Sequence, residues 1–384
     1  MNARITIEAG KAPGRAELAA TRIAFFVAGL GIAAWAPLVP YAKARTSLDD
    51  GALGLLLLCL GAGSILAMPL SGALASRFGC RRVLIGASLL VALMLPALAT
   101  AAQLPLLGLA LFIFGAGIGS LDCVINIQAV IVERASGRSM MSGFHGLFSV
   151  GGIAGAAGVS GLLMLGATPL FATLIVVAIL LAAMAWAASG LLPYAGKGEG
   201  PAFAIPHGAV LFIGVLCFVV FLAEGAMLDW SAVFLTDLRQ VDAAYAGLGY
   251  AAFASTMTIG RLIGDRFVQR LGPQRIIISG GLCAAAGLVL ATLAPSWLAG
   301  LAGYALVGAG CSNIVPVLYT AVGRQKSMPE HIAVPAISTL GYAGILVGPA
   351  AIGAVAHLAS LPIAFLIVAA LLIGVAASAP RLRI

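Results

Sequence analysis

Charge is what this sequence has least of. Lys, Arg, Asp and Glu make up 9% of its 384 residues, and 62% are hydrophobic, whereas soluble domains carry about 25% charge. So few charges cannot clothe a water-soluble globule, which excludes a cytosolic enzyme and a disordered chain. A net charge of +8 does not make a nucleic-acid binder either, because the basic residues sit in short loops between apolar runs. Cysteine is sparse and scattered. Cys59, Cys80, Cys123, Cys217, Cys283 and Cys311 form no CxxC pair and have no histidine-rich neighbourhood, so neither a metal site nor a disulfide framework is expected. HExxH, G-x-x-x-x-G-K-[ST] and the paired aspartates of an intramembrane protease are also missing. With them goes the expectation of a membrane enzyme, of ATP use or of any cofactor.

Long apolar runs take the place of charge. A membrane helix needs about 20 mostly apolar residues, and twelve such stretches lie between Leu18 and Ala379. The runs are continuously apolar, not alternating, which argues against a strand barrel. The first follows a polar stretch and carries Pro37 and Pro40, so it reads as a retained helix and not as a cleaved signal peptide. Loop charge sets the orientation. With the N-terminus in the cytoplasm, 18 of the 21 Lys and Arg residues fall inside and Lys43, Arg45 and Arg239 fall outside. That split places both termini in the cytoplasm of a bacterial inner membrane.

Local features recur about half a chain apart. Ser76-Arg77 with Gly79 matches Asp265-Arg266 with Gly272, and Trp35 matches Trp230. Gly119-Ser-Leu-Asp122 matches Gly310-Cys-Ser-Asn313, and Gly151-xxx-Gly155 matches Gly344-xxx-Gly348. The expected architecture is an all-α membrane protein of twelve helices in two pseudo-symmetric six-helix bundles, residues 1–192 and 208–384, joined by a cytoplasmic linker at 193–207. Such parallel repeats suit a transporter that rocks about a midplane site.

Span count, repeat and loops together resemble the Major Facilitator Superfamily (MFS). The sharpest likeness is Gly72-Ala-Leu-Ala-Ser-Arg-Phe-Gly-Cys-Arg-Arg82 against the family pattern G-x-L-a-D-R-x-G-R-[RK]-[RK]. It departs at Ser76, where the family has Asp, and at Cys80, which is often basic. The second-half copy, Gly260-Arg-Leu-Ile-Gly-Asp265-Arg266, keeps its acid. Gly143-Phe-His145 through Gly152, and Ala223-Glu224 through Ser231, resemble a bacterial branch that includes MosC, a protein linked to rhizopine transport. The resemblance implies alternating access, with spans 1, 4, 7 and 10 lining the cavity, spans 2, 5, 8 and 11 gating it, and spans 3, 6, 9 and 12 facing lipid.

Three of the thirteen acids lie inside spans: Asp122 in span four, and Glu224 and Asp229 in span seven. An acid at mid-helix costs about 2.5–3.5 kcal/mol to insert. No Lys or Arg is expected inside a span to pair with them, which leaves a wet cavity, hydrogen bonding or protonation. The three are candidate proton or substrate groups. Asn126 sits one turn beyond Asp122 on the same face, although Asp122 could instead lock span four to a neighbour. Glu224 and Asp229 are five residues apart, about 140° around the helix, so they do not share a face. Glu224, the deeper, is the expected cavity acid, and Asp229 is either a gate hydrogen bond or a substrate contact. His145 is a proton relay or a packing residue. Trp35 and Trp230 are interfacial anchors or an aromatic lid, and Asn313 is a neutral partner for substrate. Arg77, Arg81, Arg82, Arg261, Asp265 and Arg266 are expected at the cytoplasmic gate, or for Arg81 and Arg82 as topology signals alone.

The function expected is secondary active transport of a small polar or amphiphilic solute, neutral or cationic, by a monomer that contacts lipid, solute and protons. Sodium would serve the same carboxylates. The alternative is drug or metabolite efflux by proton antiport. The glycine-rich fifth span lacks the proline that family antiporters often carry there, which weighs against it. A channel or membrane enzyme fits least.

Overall fold

A computed structural model describes residues 14–47, 50–195, 205–242, 245 and 247–382. Arg4, Lys11, Lys197, Arg383 and most of the expected linker lie outside the described residues. Among those described there are helices and turns and no strand. In hydrocarbon every backbone N–H and C=O must be satisfied within its own segment, which a helix does. Eleven helical segments are long and apolar enough to cross a membrane. Spans one to six are Arg15–Thr46, Asp50–Phe78, Cys80–Thr100, Leu104–Ser136, Met141–Met164 and Pro169–Gly190. Spans seven to twelve are Gly208–Leu238, Leu248–Leu271, Pro273–Leu293, Trp297–Arg324, Glu330–Leu358 and Leu361–Arg381. Span eight is missing from the eleven because Arg261, Asp265, Arg266 and Arg270 interrupt its apolar run.

Two spans are broken, and proline accounts for both. Span one stops at Ala33, makes a short turn at Ala36–Leu38 around Pro37, and resumes at Val39–Thr46. Span ten stops at Cys311 and resumes at Ile314. Pro316 has no N–H to give to the carbonyl four residues back, that of Ser312. Broken helices of this kind are tolerated at membrane depth where they line a cavity or are buried in protein.

The repeat is written in the backbone. Gly79, which caps span three, has φ 83° and ψ 158°, and Gly272, which caps span nine, has φ 83° and ψ 156°. That region of backbone space is essentially reserved for glycine. The glycine stripes are also paired. In span five, a Cβ at Gly151 or Gly155 would collide with the carbonyls of Phe26 or Leu30 in span one. In span eleven, Gly344 meets the Phe218 carbonyl and Gly348 meets Leu222, both in span seven. Absent side chains let these backbones close up. Across the chain's two halves, span two packs on span eleven and span five on span eight.

Gly79→Ala and Gly272→Ala should differ. Both force a side chain into the glycine-only region, at about 1–3 kcal/mol. A Cβ at Gly79 would also strike the carbonyl of Pro193, whereas nothing lies within 4 Å at Gly272. Thermal melting in detergent should therefore rank Gly79→Ala clearly below Gly272→Ala, and equal melting would refute the steric part.

Candidate functional site

Asp122 lies near the midpoint of span four and is part-exposed. Its carboxylate has no hydrogen-bond or ion-pair partner among the described residues, and it is within electrostatic reach of Tyr319 and Tyr342 in the second half. The Asn126 amide donates to the Asp122 backbone carbonyl at 2.8 Å, while Asn126 Oδ1 is buried without a donor. The His145 ring lies between Phe25 of span one, at 5.2 Å, and Tyr319 of span ten, at 5.6 Å. Tyr319 is held by a 2.6 Å bond to Ser338. The packing role of His145 is therefore satisfied, yet its Nε2 has no partner.

Glu224 is not alone, which corrects the sequence expectation. Arg261 Nη2 pairs with Glu224 Oε1 at 3.3 Å, and the two side chains are only 9% and 15% exposed. Arg261 was expected at the cytoplasmic gate, and no base was expected within a span. It lies ten residues inside the end of span eight at Leu271, about 15 Å from that end, so it is an intramembrane cation. Its other donors complete the site. Nε donates to the Ser312 carbonyl at 3.4 Å, the acceptor that Pro316 left free, and Nη1 donates across the halves to Ser149 Oγ of span five at 3.1 Å. One guanidinium thus ties spans five, seven, eight and ten together.

Asp229 is exposed and makes no hydrogen bond among the described residues. It and Glu224 are both within electrostatic reach of Tyr250 in span eight. Asn313 sits in the break of span ten, where its amide donates to the Gly260 carbonyl at 3.1 Å and to Ser312 Oγ at 2.9 Å. Much of its capacity is therefore spent on fold, and Oδ1 is left unpartnered. Trp35 is 5% exposed, too buried for an interfacial anchor. Trp230 is half-buried against Gly353. Both indole N–H groups are buried without an acceptor.

The terminus-bearing end carries most of the cross-half bonds, and most of its residues were not expected there. The first turn of a helix has unpaired N–H groups and a positive dipole end. At span five, Glu133 Oε2 accepts from Met140 N and Met141 N at 2.7 and 2.8 Å. Asp265, from the other half, accepts from Ser142 N and Gly143 N at 3.0 Å each. The remaining Glu133 oxygen accepts from Thr320 of span ten at 2.5 Å. Arg134 donates to the Gly323 carbonyl at 3.1 Å and pairs with Glu330 of span eleven.

Of the six expected gate residues, Asp265 bonds across the halves at this end and Arg261 does so at mid-span. Arg81 donates to the Leu191 and Ser189 carbonyls at 2.9 and 2.7 Å, capping span six within its own half. Arg77, Arg82 and Arg266 are exposed and bond to no residue of the opposite half among the described residues. Ser76 turns back to Ala73; counted from the matching caps Gly79 and Gly272 its counterpart is Gln269, not Asp265 as the sequence match had it, and Gln269 donates to the Ser139 carbonyl at 3.1 Å.

Removing the Asp265 charge should loosen this end. A charged hydrogen bond contributes about 1.5–3 kcal/mol, so Asp265→Asn should raise the population open at the basic end by roughly tenfold to a hundredfold. Spin labels at Arg138 and Arg270, on opposite halves, should report a longer distance in that variant, and an unchanged distribution would contradict the role.

A twelve-span helical bundle with a broken span beside midplane acids, sealed at its basic end, has the form of a membrane transporter. The chain belongs to the Major Facilitator Superfamily, whose family model matches residues 22–325. It is 55% identical over 368 residues to an uncharacterized MFS-type transporter of Yersinia pestis, covering 96% of each chain. It is 33% identical over 362 residues to the membrane protein MosC of Rhizobium meliloti, covering 93% of this chain and 88% of that one. Among solved structures it resembles FucP in the outward conformation, with a TM-score of 0.82 and 18% identity over 96% of this chain and 100% of the other. At that identity the likeness speaks for the fold alone.

Proposed function

We propose that the protein is a proton-coupled secondary transporter that moves a small polar or amphiphilic solute, neutral or cationic, by alternating access. The observation that carries this reading is Asp122, an acid at mid-membrane with no partner and some exposure. Such a group is costly when charged and idle. Protonation removes that cost and so changes which packing of the halves is favoured.

Arg261 and Glu224 sum to zero charge at 3.3 Å, so the remaining intramembrane charge is that of Asp122 and Asp229. An unpaired anion would meet repulsion there. Glu224 is the second proton carrier in this scheme. A proton on Glu224 releases Arg261 from its counter-ion and weakens one anchor of the guanidinium that reaches Ser149 in the other half.

The test uses purified protein in liposomes. An Asp122→Asn, Glu224→Gln double variant should lose uptake driven by a proton gradient. Undiminished driven uptake, or transport of an anion with no proton flux, overturns the proposal.

A further inference from the structure

Two arginines flanking the turn between spans two and three, Arg77 at the end of one helix and Arg82 at the start of the next, find no partner across the halves among the described residues. Neither has an acidic partner among the described residues, and Arg77 lies over the ring of its own neighbour Phe78 at 5.3 Å. Arg82 stands at the mouth of a groove of about 330 Å³ between spans two, three and four. The groove is lined by Leu74, Phe78, Gly86, Leu90 and Ser120. From Arg82 to Leu90 it follows span three for eight residues, about 12 Å. This is the outer face of the bundle, since Leu89 and Leu93 beside it are 53% and 66% exposed. Its floor is open because Gly86 has no Cβ, and nothing lies within 4 Å of where one would be. Ser120 is already bonded to Ser71 and to the Ala116 carbonyl, so the interior offers an occupant only apolar contact.

We infer that this groove binds one anionic glycerophospholipid of the leaflet on the basic side, with its phosphate at Arg82 and Arg77 and part of an acyl chain along Gly86. Charge complementarity selects the occupant. The exposed Arg82 guanidinium lines the groove, with Arg77 over the lining residue Phe78 close by, and guanidinium favours phosphate bidentately, while an apolar slot runs inward at the depth of the lipid tails. A soluble anion would fill the mouth and leave the slot empty. A zwitterionic lipid would fill the slot but carry no net charge to the arginines.

The full-length protein in detergent is exposed to phosphatidylglycerol or to phosphatidylethanolamine, and retained lipid is counted by native mass spectrometry. The wild type should hold one phosphatidylglycerol about tenfold more tightly than phosphatidylethanolamine. Arg82→Gln should abolish that preference. Gly86→Leu, which fills open space and leaves the core untouched, should abolish retention itself. Equal retention of the two lipids by the wild type overturns the inference, as does undiminished phosphatidylglycerol in either variant. Complete displacement of the lipid by inorganic phosphate would make this a simple anion site and overturn it as well.

Discussion

Asp122→Asn should abolish proton-driven accumulation of solute, by roughly a hundredfold or about 2.7 kcal/mol, while leaving the protein as stable as before. The reasoning is electrostatic. Asp122 makes no bond that holds the fold, so an amide of the same shape removes a charge without stranding a partner. The same change removes a mid-span acid that has no counter-ion among the described residues and can gain or lose a proton. Uptake into liposomes under an imposed pH gradient reads the loss, and a melting curve reads the stability. A variant that melts far below the wild type would make Asp122 a structural lock. One that accumulates solute undiminished would make it a bystander.

Arg261→Met should be the most destabilising single change in the midplane. It leaves Glu224 nearly buried and without its counter-ion, and breaking a buried pair in this way costs about 3–5 kcal/mol. It also strands the Ser312 carbonyl, which has no helical donor because residue 316 is proline. Glu224→Gln alone should cost less, because Arg261 keeps Ser149 and Ser312 as acceptors. Combining Glu224→Gln with Arg261→Met should recover much of the lost melting temperature, since no buried charge then remains. Additive losses in the double variant would show that the two side chains are not coupled.

What could be read from sequence was whatever carries a periodic or costly signature. Long apolar runs count themselves. The Gly79 and Gly272 match was legible because only glycine takes that backbone, and the two conformations agree within 2°. Asp122 was legible because an acid in an apolar helix stands out. Arg261 was not. Three further arginines, at 266, 270 and 275, follow it, and it merged with that basic cluster. Its depth becomes evident only when the distance to Leu271 is counted. Glu133 and Glu330 were hidden for a similar reason, because acids at helix ends are common and their partners come from another half of the chain. The breaks at Pro37 and Pro316 had visible causes, but a proline in a membrane helix bends, breaks or merely tightens it according to neighbours that one sequence does not name.

Proton movement is the claim on which the rest depends. A thermal-shift screen of polyols, sugars, amines and drugs at two pH values identifies a ligand, because binding to the folded state raises its apparent stability. That solute is then added to liposomes that contain the protein and a trapped pH dye, with sodium absent. The expected result is an immediate internal pH change in the wild type and none with Asp122→Asn. Solute entry with a flat dye signal, or entry that requires sodium and ignores pH, would contradict it.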